Sequence, residues 1–237
     1  MALPLFFTET YLEGQTVLEL DETNSRHIVQ VLRMQEGEAL ELTDGKGHQL
    51  LAEIETAHKK HCTVTIKQVQ FHPAPERKTA IAIALLKNAS RFEWFLEKAT
   101  EIGISAIYPL KTERTEKQHF RFDRMRGILI SAILQSRQFW LPELQEPLPF
   151  TSMNFPAGAG FLNCIAHCEA GGKPLLYTLP DLGKKNVLLL IGPEGDFTPQ
   201  EIDHATAQGC IPVSLGDTRL RTETAALVGC MMLRYAY

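Results

Sequence analysis

Residues 187–225 read VLLLIGPEGDFTPQEIDHATAQGCIPVSLGDTRLRTETA and contain two glycine-bearing loops, each between an apolar segment and a helical pattern. Val187–Ile191 is apolar at every position, which is typical of a strand buried on both faces of a parallel sheet. The glycines and proline of Gly192–Gly195 predict a tight turn. Thr198–Glu201 has the pattern of a capping box with proline at the first helical position, so we expect a helix to begin there and to end near Gln208.

The same order of elements repeats before the end of the chain. Gly209 is suited to end the first helix, Ile211–Leu215 predicts a short strand, and Gly216–Arg221 forms the second loop. Thr222 is a suitable cap for a helix over Glu223–Tyr237. Because the carboxyl ends of parallel strands meet at one edge of a sheet, we expect both loops to share a pocket. Ordinary strand-to-helix connections can have the same glycines, but the backbone amides and two arginines favour a cofactor held mainly by backbone.

Two strings within this stretch resemble a known family. IGPEGDFTPQEI, residues 191–202, and SLGDTRLRTETAAL, residues 214–227, are similar to the C-terminal signature of the RsmE family. That family comprises the 16S ribosomal RNA uridine N3-methyltransferases of the SPOUT class. The resemblance implies an α/β domain whose parallel sheet is tied in a trefoil knot, with S-adenosyl-L-methionine bound in the knot. It also implies a small PUA-like β-barrel domain before the knot.

The composition indicates a cytoplasmic enzyme. A chain of 237 residues, 44% of them hydrophobic, can bury two modest cores. Residues 1–10, MALPLFFTET, lack the basic region and cleavage site of a leader, and no apolar run approaches the ~20 residues that a membrane span needs, so we expect a soluble, unexported protein. Five cysteines, an odd number, indicate a reducing compartment. The net charge of −4 disfavours extended non-specific binding of nucleic acid, so any RNA site must be local.

Several other site types are excluded or disfavoured. Cys164 and Cys168 flank His167 and could bind a metal, but no second cluster completes four ligands, so we favour buried thiols and expect no metal. The turn Gly171–Pro174 lacks the Ser/Thr and the following helix of a phosphate-binding loop. The dinucleotide-binding glycine pattern is also missing, which counts against dehydrogenases.

Residues 1–73 are expected to form the small β-rich domain. The hairpin turn Asp44–Gly47 lies between two of its segments, and Thr23–Leu32 predicts a short helix capped by Asn24 or Ser25. The predicted strands are Thr16–Leu20, Ala39–Leu42, Leu50–Ile54 and Thr63–Val69. The order of His27–Arg33, Gly37 and this turn resembles the PUA-like domain of the RsmE family. That resemblance implies RNA contact through Arg26, His27, Arg33 and Lys46; the alternative for each is a solvated surface charge.

Residues 74–237 are expected to form the α/β domain, after a proline-bearing connection. Thr79–Leu86 and Ala106–Leu110 predict strands, and between them Ser90–Glu93 resembles a capping box for a helix that Gly103 ends. The alternation of strand and helix predicts a parallel sheet. LLKNASRFEWFLEKATEIGISAIYPL, residues 85–110, also resembles the RsmE family. We further expect strands over Gly160–His167 and Leu175–Leu179.

A basic stretch lies between Lys111 and Arg137. We expect a helix over Gln118–Phe139, and its charges are either a solvated face or a footprint for phosphates. From the resemblance, Arg91, Arg114 and Arg137 join the RNA-binding candidates. Leu134 stands where the family usually has an acidic residue, which disfavours a direct catalytic role for that turn.

The resemblance also implies roles at the two glycine-bearing loops. Uridine methylation needs a proton removed from N3, so Arg219 and Arg221 are candidates to stabilise the resulting anion, and Glu223 or Glu194 is a candidate base. Asp196 replaces the family's usual glycine, and we expect its backbone to avoid positive φ. The predicted cofactor-binding residues are Leu176, Tyr177, Thr178, Ile191, Gly192, Glu194, Gly195, Leu215, Gly216, Leu220, Arg221, Thr222 and Thr224.

The C-terminal helix predicts a homodimer, because Glu223–Tyr237 is apolar around most of its circumference. Insertion of this helix wholly into its own core is the alternative. The expected partners are 16S rRNA or the small ribosomal subunit and a second copy of the chain, with no membrane. A competing hypothesis is an RNA-binding or ribosome-assembly factor whose knot domain has lost catalysis, although the intact GPEG and LRTETA strings disfavour it.

Overall fold

The computed structural model describes residues 2–116, 119–156, 158, 160–169 and 171–236. The chain divides into two units, and the first contains the residues through Ala74 together with Ile133–Leu141. The second contains Pro75–Ala132 and the residues from Pro142 onward. Each unit has its own sheet.

The first unit is built on a five-stranded sheet with the order β1-β3-β4-β5-β2. Neighbouring strands are antiparallel except β1 and β3, which are parallel. Leucine and isoleucine side chains of β3 and β4 fill its core. The four predicted strands are confirmed, and β1 is an addition. The bounds are β1 Leu5–Phe7, β2 Val17–Glu19, β3 Ala39–Thr43, β4 His48–Thr56 and β5 Thr63–Phe71.

The predicted short helix is present but starts earlier and changes its winding. The α1 helix, Glu22–Arg26, is capped by Asp21, whose carboxylate accepts the backbone N–H of Asn24 at 2.9 Å. A π-helical turn over His27–Val31 continues it. The predicted caps Asn24 and Ser25 are therefore wrong. Ser25 is buried and donates its hydroxyl to a backbone carbonyl instead.

The hairpin turn between β3 and β4 is confirmed and has an additional partner. The Asp44 carboxylate accepts the backbone N–H of Lys46 at 2.8 Å, which fixes the turn. Residues 139–141 then pair with it: Gly47 donates its N–H to the Phe139 carbonyl, and Leu141 donates to the Gly45 carbonyl, both at 2.8 Å. This pairing explains why a segment far along the chain belongs to the first unit.

The second unit is built on a parallel sheet with the order β12-β10-β11-β6-β7-β8, and β9 also pairs with β7. Every pair is parallel, as the alternation of elements predicts. The strands are β6 Thr79–Ala84, β7 Ala106–Lys111, β8 Glu143–Leu144, β9 Leu148–Pro149, β10 Phe161–Ala166, β11 Asn186–Ile191 and β12 Ile211–Val213. The helices are α2 Ala89–Ile102, α4 Pro199–Ala207, α5 Thr222–Arg234 and α3 Phe122–Ser136, of which the residues from Ile133 onward belong to the first unit.

The helix ends confirm one predicted cap and correct two. The capping box of α4 is complete, since Thr198 and Glu201 bond each other's backbone. The α2 helix is capped by Asn88 rather than Ser90, and α5 begins at Thr222 with Arg221 before it and no side-chain cap. Gly103 ends α2 in the left-handed region at φ 89°. Gln118 and Tyr237, the predicted start of α3 and end of α5, lie outside the described residues.

The predicted strand over Leu175–Leu179 is wrong. Leu176–Thr178 is a 3₁₀ turn, and the backbone N–H of buried Leu176 donates to the Ser214 carbonyl at 2.9 Å. A single bridge between Leu175 and Ser214 takes the place of a strand ladder.

The last helix returns from the edge of the sheet to its middle. Although α5 follows the edge strand β12, it packs against β6, β11 and α2. A Cβ atom on Gly229 of α5 would lie 2.4 Å from Leu189 Cδ2 of β11, so the helix and the sheet approach closely at this glycine. The return of α5 places the start of this helix beside the carboxyl ends of β10, β11 and β12.

Candidate functional site

The carboxyl ends of the neighbouring strands β10, β11 and β12 surround a cavity of about 910 Å³. The segments that follow these strands make its wall, so backbone from three loops faces one space. The two glycine-bearing loops share this cavity as predicted, and the loop after β10 is the third contributor. The lining residues are 166–168, 171–173, 191–194, 196, 213–222 and 225.

The loop after β11 is held by an aspartate in a strained conformation. Asp196 has φ 64°, so the expectation that its backbone avoids positive φ is wrong. Its carboxylate accepts the backbone N–H of Cys168 at 2.7 Å and that of Phe197 at 2.8 Å. These two bonds explain how a residue with a side chain holds the left-handed conformation that glycine adopts at no cost. They also join the loop after β11 to the loop after β10.

Gly195 lies in the same loop but does not face the cavity. Arg114 donates from Nη1 to the carbonyl of Gly195 and, at 3.4 Å, to that of Phe197. A Cβ atom on Gly195 would lie 3.3 Å from Arg114 Cδ. Arg114, a candidate for RNA contact, is therefore packed against the loop of its own chain, and Gly195 is needed for that approach.

The loop after β12 brings two arginines to the rim of the cavity. Arg219 and Arg221 both line it and are exposed, and neither side chain makes a hydrogen bond or ion pair within the described part of the chain. Gly216 begins the loop at φ 135°, a conformation open to glycine. Both guanidinium groups are thus available to an anion.

Glu223 occupies a different environment from these arginines. It is buried in the first turn of α5 and pairs with Arg91 of α2 at 3.6 Å, with Arg91 half-exposed. Its second carboxylate oxygen has no hydrogen-bond partner among the described residues. Glu223 is not on the cavity wall, whereas Glu194, the other candidate base, lines the wall and is exposed.

His167 is on the cavity wall, although the sequence suggested only a metal-ligand role for it. Its ring nitrogens are buried and find no partner within the described ranges. Burial lowers the pKa of His167, and Lys173 lowers it further, against the opposing effects of Asp196 and Glu169. The available signal was its place directly after a mostly apolar strand.

A metal site at these residues has no support in the geometry. Within the described residues, no group of three or more His, Cys, Asp or Glu side chains could hold a metal ion. Cys164 is fully buried, and burial raises the pKa of its thiol to about 12, so the thiolate that a metal needs is disfavoured. Across the part of the chain described, no helix is long and apolar enough to cross a membrane.

Comparison with known proteins assigns the chain to a family. Residues 73–234 match the RNA methyltransferase domain, and residues 20–67 match the RNA methyltransferase PUA domain. A ribosomal RNA small subunit methyltransferase E from Synechocystis is 32% identical over 223 residues, which cover 90% of this chain and 71% of the relative. The chain belongs to the ribosomal RNA small subunit methyltransferase E family.

Solved structures agree with this assignment over nearly the whole chain. A probable rRNA-methyltransferase from Porphyromonas gingivalis is 37% identical with a TM-score of 0.87, covering 97% of this chain and 96% of that one. A ribosomal RNA small subunit methyltransferase E from Neisseria gonorrhoeae, bound to S-adenosyl methionine, is 25% identical with a TM-score of 0.84 and the same coverages. The predicted fold class, a SPOUT-type α/β domain after a PUA-like domain, is confirmed.

In this member of the methyltransferase E family, most predicted cofactor residues lie on the cavity wall. Those that line it are Ile191, Gly192, Glu194, Leu215, Gly216, Leu220, Arg221 and Thr222. Those that do not line it are Leu176, Tyr177, Thr178, Gly195 and Thr224. The end of β10 and the loop directly after it line the cavity through residues 166–168 and 171–173. Residues 176–178 lie farther along the chain and do not line the cavity.

The RNA-binding candidates of the first unit differ in whether their side chains already contact another residue of the protein. Arg33 and Lys46 are exposed, and their side chains have no polar partner within the described ranges. Arg26 is exposed but pairs with Glu22 at 2.8 Å, and the ring of exposed His27 packs edge-on against Phe6. Arg137 donates to the Leu3 carbonyl and to the Glu41 carboxylate.

Proposed function

We propose that this chain transfers the methyl group of S-adenosyl-L-methionine to N3 of a uridine in 16S rRNA of the small ribosomal subunit. The observation that carries the proposal is the cavity at the ends of β10, β11 and β12, whose wall contains the family signature. Relatives are named as methyltransferases of this RNA, and one neighbour binds S-adenosyl methionine. The open cavity and its two free arginines disfavour an inactive assembly factor.

The cavity fits this cofactor in size and chemistry. A volume of about 910 Å³ lies within the range of pockets that enclose small ligands. Val213, Leu215 and Leu220 supply apolar surface, and the backbone of the glycine loops supplies donors and acceptors. Ring nitrogens of His167 without partners fit a site that a polar ligand completes. Residues 176–178 support the loop after β12 from behind, through the bond from Leu176 to Ser214.

The protein's contribution to the reaction is orientation and charge. The bound cofactor supplies a methyl group on a positively charged sulfur, which leaves as a neutral thioether. The cavity wall would hold the cofactor and orient it toward the uracil, and orientation of this kind contributes ~7–11 kcal/mol in well-ordered sites. Methyl transfer to N3 also requires that N3 lose its proton, so the chain has to supply a group that accepts a proton or stabilises the resulting charge.

The side chains at the rim act on the charge of the uracil ring. Arg219 and Arg221 stabilise the negative charge that develops when N3 loses its proton. Of the two candidate bases, Glu194 and Glu223, Glu194 is the one that lines the wall, and it accepts this proton or passes it to water. Glu223 acts through its ion pair with Arg91, which fixes α2 beside the first turn of α5.

RNA docking involves the first unit. Arg26, His27, Arg33 and Lys46 contact phosphates there, and each phosphate contact releases counterions. These charges are local in a chain with a net charge of −4, so the RNA site is a local one. Arg26 exchanges its exposed ion pair with Glu22 for a phosphate, whereas Arg91, Arg114 and Arg137 also hold elements of the protein in place through their partners.

The functional unit is a homodimer formed through α2 and α5 in the cytoplasm. On these two packed helices Trp94, Met231 and Tyr235 are 45%, 47% and 56% exposed. Tyr235 caps the end of α5, and its backbone N–H donates to the carbonyl of Met231, one turn earlier, at 3.1 Å. Large exposed apolar side chains on adjoining helices are typical of an interface.

Two measurements test the proposed function. Calorimetric titration should show S-adenosyl-L-methionine binding, and small-subunit RNA incubated with labelled cofactor should yield 3-methyluridine on nucleoside mass spectrometry. Replacing Arg219 and Arg221 with alanine should remove product while leaving the melting temperature unchanged. Absence of binding at millimolar cofactor would reject the enzyme, and a methyl group on another uridine atom would reject the N3 assignment alone.

A further inference from the structure

Among the described residues of the cavity wall, His167 is the one whose side chain has buried polar atoms without a partner. It directly follows β10 and lines the cavity, and both ring nitrogens are buried without a hydrogen bond. Asp196 lies nearby, but its two carboxylate oxygens accept the N–H groups of Cys168 and Phe197. The loop geometry therefore occupies Asp196 and leaves the imidazole unpaired.

An unpaired buried imidazole is unfavourable, and folded proteins rarely leave such groups unsatisfied. Loss of a partner from a buried polar group destabilises a fold substantially, so its position at a ligand cavity indicates that a ligand supplies the partner. A half-turn of the ring about Cβ–Cγ exchanges each nitrogen with a ring carbon and changes the shape of the side chain little. The residue can thus present a nitrogen to the cavity at low cost.

The charges around the cavity indicate which part of the cofactor His167 meets. Burial and the ammonium group of Lys173 lower the pKa of His167 and so favour the neutral imidazole, which has one donor and one acceptor. Lys173 lines the same wall, and its ammonium group donates to the Glu169 carbonyl of its own loop. Since Arg219 and Arg221 of the loop after β12 are assigned to the uracil, Lys173 is the remaining cation among the described wall residues that is suited to the carboxylate of an amino acid. A neutral imidazole is suited to the uncharged hydroxyl and ring groups of a nucleoside.

We propose that His167 is a binding residue for the nucleoside half of the cofactor, and that Lys173 binds its carboxylate. This inference rests on the proposed function, since it concerns the ligand of the same cavity. Within the loop after β10, the neutral side chain of His167 binds the uncharged half of the cofactor, and the cation of Lys173 binds the charged half.

Titration of variants with two ligands tests which half of the cofactor each residue binds. S-adenosyl-L-methionine has both halves, whereas 5′-methylthioadenosine lacks the carboxylate and the ammonium group. His167→Phe should weaken both ligands by a similar factor of about ten, and His167→Gln should recover part of the loss. Lys173→Met should weaken S-adenosyl-L-methionine and leave methylthioadenosine unchanged. His204→Phe, on α4 and away from this cavity, is the matched control and should change neither affinity.

A second readout uses the wild-type protein and does not depend on how the variants fold. With ¹⁵N-labelled histidine, saturation with either ligand should shift the ring nitrogens of one histidine from free to hydrogen-bonded values. Unchanged ring nitrogens, or a His167→Phe loss confined to S-adenosyl-L-methionine, would overturn the inference while the proposed function stood. Failure of the wild type to bind either ligand would overturn the proposed function and this inference with it.

Discussion

The carboxylate of Asp196 accepts the backbone N–H of Cys168 at 2.7 Å, and this bond joins two loops of the cavity wall. Asp196 has φ 64°, a left-handed conformation that is unfavourable for a residue with a side chain, so its hydrogen bonds have to hold the backbone there. The bond therefore sets the distance between the loop after β10 and the loop after β11.

Removing the Asp196 carboxylate should loosen this wall. Asp196→Ala loses both loop bonds and keeps the unfavourable φ, so we expect cofactor affinity to fall severalfold and the melting temperature to drop by a few degrees, as for a loss of about 1–2 kcal/mol. Asp196→Asn tolerates positive φ but has one acceptor oxygen in place of two, so it should keep one of the two loop bonds and lie between Asp196→Ala and the wild type. Calorimetry and thermal melts distinguish the two, and equal behaviour of both variants would contradict the role of this bond.

The thiols should report directly on cavity occupancy. Cys168 is exposed on the wall, whereas the other four cysteines are buried. Burial raises the pKa of Cys164 and of Cys210 to about 12, which suppresses their reactive thiolates. We expect one of the five thiols to react quickly with a thiol reagent, and saturating S-adenosyl-L-methionine to slow that reaction.

One variant and one denatured sample complete the labelling experiment. Cys168→Ser should abolish the fast phase, and denaturant should expose the remaining thiols. A fast phase that S-adenosyl-L-methionine leaves unchanged would show that the cofactor does not cover the loop after β10.

Two helical glycines should respond in opposite directions to alanine. A Cβ atom on Gly229 would lie 2.4 Å from Leu189 Cδ2, and Leu189 is fully buried, so Gly229→Ala should lower the free energy of unfolding by about 1–3 kcal/mol. Gly127, inside α3, has open space at the same position, so Gly127→Ala should raise it by about 0.5–1 kcal/mol. Denaturant unfolding measures both, and a neutral Gly229→Ala would mean that α5 approaches the sheet less closely.

The ion pair between Glu93 of α2 and Arg124 of α3 should make part of the folding stability depend on pH. Hydrogen bonds from Arg124 at 2.6 and 2.8 Å hold the pKa of Glu93 below its ordinary value of 4.5. A carboxyl group whose pKa is lowered on folding stabilises the protein above its unfolded pKa and loses this effect as pH falls through the folded value. Glu93→Gln should therefore lower the melting temperature slightly at pH 7.

The pH dependence provides the control for that variant. The difference between wild type and Glu93→Gln should stay constant above about pH 5 and shrink toward zero as the wild-type carboxyl protonates. In an Arg124→Gln background the substitution should have little effect at any pH. A difference that persists unchanged at pH 2 would show that the ion pair is not its source.

The sequence predicts local structure correctly where a short residue pattern is compatible with only one conformation. The apolar run of β11 and the capping box of α4 both follow from neighbouring residues. The same logic missed Asn88 and Asp21 as caps, because each helix offers several polar residues within two positions and packing selects among them. The left-handed Asp196 was unpredictable in the same way, since its compensation comes from Cys168, twenty-eight residues earlier.

The sequence predicted that the two glycine-bearing loops share a cavity but did not predict that the loop after β10 forms part of its wall. Two of the cavity's three loops have glycine signatures that resemble the family, whereas the Gly171–Pro174 turn in the loop after β10 matches no phosphate-binding pattern. Residues 176–178 were expected at the cofactor from the family resemblance, and the strand predicted over Leu175–Leu179 is a 3₁₀ turn bonded to Ser214, which periodicity cannot distinguish from a strand. The return of α5 to β11 and β6 depends on contacts between distant residues such as Gly229 and Leu189, which one sequence cannot reveal.

The pairing of residues 139–141 with the β3–β4 turn makes the first unit discontinuous along the chain. A fragment ending at Ala74 would lack the Phe139 ring that stacks on His72 and the carbonyl that accepts the Gly47 N–H. Cleavage of the polypeptide at one point therefore cannot release an intact N-terminal module. Such a module has to be reassembled from two peptides, in the manner of a split reporter whose halves complement each other.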